Sequence, residues 1–170
     1  ETVVVLYGDH DAGMWGKEIR DFFNFRARRP NWDLFDQLPL MIWLPGDDPP
    51  AGLVETTTGL IDLPVTLLAL MGVDPALYAM MGRNALGEPN GGVLSRPRGH
   101  WIDETYYYQT APNRCFSRES RQKVEIEECT AGVEADTLQR FVSSRVLEYD
   151  LQESLHKTLS DRLGLSASSR

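Results

Sequence analysis

The chain has 170 residues, 42% of them hydrophobic and 25% charged. That is the balance of a globular domain long enough to bury a core without metal or disulfide staples, so disorder is excluded as the main state. Lys and Arg total 17 against 25 Asp and Glu, a net charge of −8; this argues against nucleic-acid partners, whose binding domains carry a basic surplus or stripe. No run approaches the ~18 apolar residues of a membrane-spanning helix.

Thr2 to Tyr7 is a continuous β-branched and aromatic run, the pattern of a strand buried on both faces of an α/β sheet. The chain enters this strand with no lead-in, which reads as a segment of a longer protein with anchors and targeting signals upstream. The strand ends at Gly8-Asp9-His10-Asp11. From 12 to 37, Lys17, Arg20, Arg26, Arg28 and Arg29 interleave with Phe22, Phe23 and Phe25. This basic-aromatic run reads either as a solvated helix face with inward Phe residues or as a lip for anionic groups. Pro39 to Leu44 predicts a second strand, stopped by the turn residues Pro45-Gly46-Asp47-Asp48-Pro49-Pro50.

A helix follows. Asp62 is placed to cap it, Pro64 fits its first turn, and Leu63, Leu67, Leu68 and Met71 share a face. Gly72 closes it, with Pro75 just beyond. Residues 82–100 hold five Gly and two Pro and predict a loop. Trp101–Gln109 and Lys123–Glu128 predict two antiparallel strands. A final helix is expected from about Glu134, with Leu147, Leu151, Leu155, Leu159 and Leu163 in a stripe that drifts around it; Ser166–Arg170 reads as a frayed tail. The expected fold class is α/β, with a sheet-and-helix part over 1–90, and antiparallel strands plus a terminal helix over 91–165.

Chemistry is expected first at Asp9 and His10. In open α/β sheets, ligands sit beyond the carboxyl ends of strands. A carboxylate and an imidazole there, beside a glycine, can face one divalent cation, with Asp11 as a nearby oxygen donor. The alternative is a turn whose Asp and His bond to local backbone.

Several stretches in order resemble one family. Val3-Val4-Val5-Leu6-Tyr7-Gly8-Asp9-His10 looks like the last metal-ligand motif of the alkaline-phosphatase/sulfatase superfamily, and more closely like its lipoteichoic acid synthase (phosphoglycerol transferase) branch. Pro39 to Gly46 resembles the strand and turn that follow. Thr58 to Val73 resembles the D-x-x-P-T-L helix, Gly82-Arg83-Asn84-Ala85-Leu86 the G-x-x-L segment, and Thr105-Tyr106-Tyr107-Tyr108 the late aromatic strand. The likeness spans residues 2 to 108 and is looser beyond Gln109.

The resemblance implies the C-terminal portion of an alkaline-phosphatase-like mixed sheet with flanking helices, followed by a small antiparallel meander and a C-terminal helix. It implies a metal-dependent phosphoglycerol-type transferase acting on a cell-envelope glycan or lipid at the extracytoplasmic face of a membrane-anchored parent. A sulfatase is the alternative, and a non-catalytic interaction module a further one. The cation implied is Mn²⁺, with Zn²⁺, Ca²⁺ or Mg²⁺ as alternatives, and only Asp9 and His10 carry over as ligands. The family's nucleophile lies upstream of this motif, and Thr56, Thr57, Thr58, Ser95 and Cys115 do not occupy its place, so the chain is expected to hold half a site and to be inactive alone. Its expected partners are the upstream part of its own catalytic domain, an anionic envelope lipid or glycan and, through an unpaired edge of the first strand, a second copy of itself.

Cys115 and Cys129 bracket a predicted hairpin over Phe116–Glu128 that brings them within bridging range. An exported protein favours a disulfide between them; two free thiols are the alternative. His100 and His156 are expected outside the chemistry, and Asp62 is read as a helix cap rather than a catalytic acid.

Overall fold

A computed structural model describes residues 2–10, 17, 21, 37–49, 51–87 and 92–164. Asp11, the basic-aromatic run apart from an exposed Lys17, and the Ser166–Arg170 tail lie outside the described residues. The chain divides into two compact units, residues 1–53 with 118–122 and residues 54–117 with 123–170.

In the first unit, β1 (Val4–Tyr7) pairs antiparallel with β2 (Leu40–Trp43), in register from Val4 opposite Trp43 to Tyr7 opposite Leu40. The expectation of a strand buried on both faces is corrected here. Val4, Leu6, Met41 and Trp43 share one face of the ribbon and each is more than half exposed, while Val5 and Ile42 on the other face are half-buried. The apolar run supplies β propensity, but burial also needs a layer packed against each face.

The second unit is built on a five-stranded antiparallel meander in chain order: β3 (Leu94–Ser95), β4 (Trp101–Ile102), β5 (Tyr106–Gln109), β6 (Arg114–Ser117) and β7 (Lys123–Val124). The predicted strand Trp101–Gln109 is thus two strands. Asp103 separates them, because its Oδ1 accepts the N–H groups of Thr105 (2.7 Å) and Tyr106 (2.6 Å) and turns the chain. β3 lies in the stretch expected to be loop. The predicted strand 123–128 stops at Val124 and continues as a 3₁₀ turn, Ile126–Cys129.

Helix α1 (Leu63–Leu70) follows a 3₁₀ turn at Leu60–Asp62. Helix α2 (Thr130–Glu148) starts ahead of Glu134, and the single terminal helix is divided: Asp150, at φ 49°, breaks it before α3 (Gln152–Arg162). A leucine every fourth residue drifts about 40° per step, too far for one straight helix to keep all five on one face. The break leaves Leu151, Leu155 and Leu159 half-buried and Leu147 and Leu163 exposed.

The core of this unit gathers Val93, Trp101, Tyr108, Cys115 and Cys129. Trp101 stacks on Tyr108 with ring centroids 5.8 Å apart. Its indole lies so close over Gly132 of α2 that any Cβ there would collide with the ring. Cys115 and Cys129 form a disulfide with Cα atoms 5.9 Å apart, tying β6 to the turn that enters α2.

Candidate functional site

Asp9 and His10 leave the end of β1 together. Gly8 extends the ladder by donating its N–H to the Pro39 carbonyl (3.0 Å), and a Cβ on Gly8 would crowd Pro39 Cδ at 3.3 Å. The chain then bends, and both side chains reach solvent, 81% exposed for Asp9 and 79% for His10. His10 Nε2 lies 3.6 Å from Asp9 Oδ1. Two donors on one cation at bond lengths of ~2.1 Å stand ~3.4 Å apart in tetrahedral geometry, so the pair fits half of a coordination shell. Its chemistry, one anionic oxygen and one imidazole nitrogen, suits Mn²⁺ or Zn²⁺. Among the described residues, no three His, Cys, Asp or Glu side chains gather into a fuller ligand set.

The sequence stretches that carry the remaining resemblance are structural. Asp62 is buried, and its side chain makes no bond to the amides of α1. Its Oδ2 accepts the Gly59 N–H (2.9 Å) and its Oδ1 accepts the Arg83 N–H (2.7 Å). The expected cap of the main helix is therefore corrected: Asp62 staples the preceding 3₁₀ turn to residue 83. Thr66 adds a second tie, donating to the Asp62 carbonyl (2.8 Å) and accepting the Ala85 N–H (2.9 Å). Gly82 is required at this crossing, because a Cβ would strike the Ile61 carbonyl.

The other polar candidates are held by neighbours. Thr57 bonds both carboxylate oxygens of Glu104, through its N–H at 2.8 Å and its hydroxyl at 2.9 Å. The Ser95 hydroxyl donates to Asp136. His156 meets the Leu77 carbonyl through Nδ1 and stacks on Tyr78 at 5.5 Å. Nδ1 of His100 and Nε1 of Trp101 are buried without a hydrogen-bond partner among the described residues. The Tyr106 hydroxyl donates to Glu128 (2.6 Å), and this bond, with desolvation and the nearby Glu128 and Asp103 charges, raises its pKa above the ordinary 10.0.

One buried network escaped the sequence reading. Asp136 on α2 accepts from Arg140 Nε at 2.8 Å, and Arg140 Nη2 donates to the carbonyls of Arg96 and of His100 (3.0 Å). The guanidinium thus bridges the two limbs of the β3–β4 connection and pins them to α2. The signal was available as an acid and an arginine four residues apart on a helix.

No family model matches the chain. It is 27% identical to lipoteichoic acid synthase 1 of Bacillus subtilis over 161 residues, which cover 88% of this chain and 23% of that protein. The chain therefore spans about a quarter of the length of the curated relative it matches. At that distance the similarity supports a lipoteichoic acid synthase-like relationship and links the chain to phosphoglycerol transferases.

Proposed function

We propose that this chain is the part of an extracytoplasmic phosphoglycerol-type transferase that carries two of its metal ligands, and that the parent acts on an anionic envelope lipid or glycan. The observation that carries this reading is the convergence of Asp9 and His10 beyond β1, in a chain similar to a lipoteichoic acid synthase over most of its length. The parent is read as membrane-anchored through residues outside this chain; no helix among the described residues is long and apolar enough to cross a membrane.

In this reading, the Asp9 carboxylate and the His10 imidazole hold a divalent cation, Mn²⁺ first among the choices. Such a cation lowers the pKa of a nucleophile and neutralises charge on the group being transferred. The chain's own residues perform the holding. Gly8 brings the backbone close enough to Pro39 to aim both side chains outward, Asp9 supplies the negative charge, and His10 supplies a neutral donor that must be deprotonated to bind. The nucleophile is assigned to the upstream part of the catalytic domain, since the hydroxyls of Thr57 and Ser95 donate to carboxylates and Cys115 is in a disulfide.

The test is Mn²⁺ titration of the longer parent protein by calorimetry, with Asp9→Ala and His10→Ala as variants. Each variant is expected to weaken binding by at least tenfold, while the 170-residue chain alone binds weakly and hydrolyses no aryl phosphate. Unchanged Mn²⁺ affinity in both variants would remove the metal role and favour a non-catalytic module. Turnover by the chain alone, abolished by Asp9→Ala, would show that the site is complete here rather than divided.

A further inference from the structure

Helix α2 turns several large apolar side chains outward and several polar ones inward. Asp136, Gln139, Arg140 and Ser143 lie on the buried and half-buried side of the helix, whereas Leu138 is 63% exposed and Phe141, Val142 and Tyr149 are exposed with it. The exposed residues are ordered. Ala131, Ala135, Leu138, Val142, Arg145 and Tyr149, all exposed, step along the helix by four and three residues alternately. That is the spacing of a coiled-coil seam, which places them on one stripe ~27 Å long.

The seam is graded in size. Its amino-terminal end carries two alanines, its middle Leu138 and Val142, and its carboxyl end Arg145 and Tyr149. A twofold axis crossing between Leu138 and Val142 would set Leu138 against Val142 of a second copy, Ala135 against its Arg145, and Ala131 against its Tyr149. The two largest side chains of the seam, Arg145 and Tyr149, then each meet an alanine. A parallel pairing would instead stack Arg145 on Arg145 and Tyr149 on Tyr149.

Charge follows the same symmetry. Glu134 borders the seam beside Ala135, so the antiparallel arrangement brings it alongside Arg145 of the second copy, and the twofold repeats the contact. Arg145 is already held in place for this role. It lies 5.3 Å from the Phe141 ring centroid and 5.5 Å from that of Tyr149, and its Nη1 donates to Glu148 (2.8 Å) and the Tyr149 hydroxyl (3.0 Å). An ordered side chain loses less entropy on binding than a mobile one.

We propose that the exposed seam of α2 is a self-pairing surface, through which two copies of this chain associate by antiparallel α2 helices about a twofold axis. The surface is distinct from the β1 edge and independent of the metal reading. A single helix pair buries less than a standard interface, so the association is weak and depends on concentration.

Sedimentation equilibrium of the 170-residue chain over a rising concentration series tests this. The mass is expected to climb from 19.2 kDa toward twice that value, with dissociation in the micromolar range. Leu138→Glu and Val142→Glu should stay monomeric with unchanged far-UV dichroism and melting, since both side chains are exposed. Glu134→Arg and Arg145→Glu should each weaken pairing about fivefold, and an equimolar mixture of those two variants should pair better than either alone, because both cross-contacts are then of opposite charge. A wild-type chain that stays monomeric throughout, a dimer indifferent to Val142→Glu, or a mixture no better than its components would each overturn the proposal.

Discussion

The β1–β2 ribbon and the β3–β7 meander draw on the same kinds of residue and reach opposite states. The ribbon is almost wholly apolar, yet the face formed by Val4, Leu6, Met41 and Trp43 stays open. In the meander, Trp101, Tyr107, Cys115 and Phe116 are buried. Among the described residues, the difference is the second layer. α2 lays Gly132 under the Trp101 indole, and Asp136 and Arg140 fasten it to the β3–β4 connection. Hydrophobicity makes a strand available for a core, and an opposing layer makes it part of one. The candidate metal ligands follow directly on the ribbon, whose open face gains little from burial, while the meander holds the buried core and none of the proposed chemistry.

The largest effect expected from breaking this contrast is at Trp101. Trp101→Ala should lower unfolding free energy by about 3–5 kcal/mol, read from urea denaturation followed by circular dichroism. The matching change on the ribbon, Leu6→Thr, should stay within ~0.5 kcal/mol. Equal losses would mean that the ribbon's open face is covered and that the contrast is false.

A smaller loss is expected from the cross-link. Replacing Cys115 and Cys129 together by Ala should destabilise the chain by about 3 kcal/mol, as loop closure over 14 residues implies. Reducing agent should shift the wild-type denaturation midpoint the same way and leave the double variant unmoved. A midpoint insensitive to reduction would show that Trp101, Tyr108 and their neighbours hold this unit without the bridge.

The smallest effect is electrostatic and also lies on the meander. The Glu128 hydrogen bond raises the Tyr106 pKa above 10.0, so the folded state holds that proton more tightly than the unfolded chain does. The stabilisation is therefore present below about pH 10 and is lost as pH rises through the folded value. Ultraviolet titration of wild type against Tyr106→Phe should show the variant lacking one phenol in the part of the curve above pH 10.0. A Tyr106 that ionises at the ordinary pH would remove the Glu128 contact from the account.

Much of the chain was legible one element at a time. The run ending at Tyr7, the Pro39–Leu44 strand and the helix opening with Pro64 all form near where local pattern places them, because propensity and turn residues act over a few neighbours. Boundaries went astray where a side chain overrode the pattern. Asp103 folded one apparent strand into a hairpin, and Asp150 turned the chain by adopting a left-handed backbone. The adjacency of Asp9 and His10 was visible as text; their separation of 3.6 Å was not, since neighbouring side chains on a strand ordinarily diverge.

What the sequence determined by itself was a mixed α/β chain and the identity of the two candidate ligands, because element type and donor chemistry are properties of residues and their nearest neighbours. The tertiary structure alone decided that Asp62 and Thr66 serve as staples to residues 83 and 85, and that the network of Asp136 and Arg140 faces inward while Leu138 and Val142 face out. Those outcomes depend on which backbone amides and carbonyls a distant segment presents, and the need of a buried polar group for a partner is met only once the chain has closed on itself.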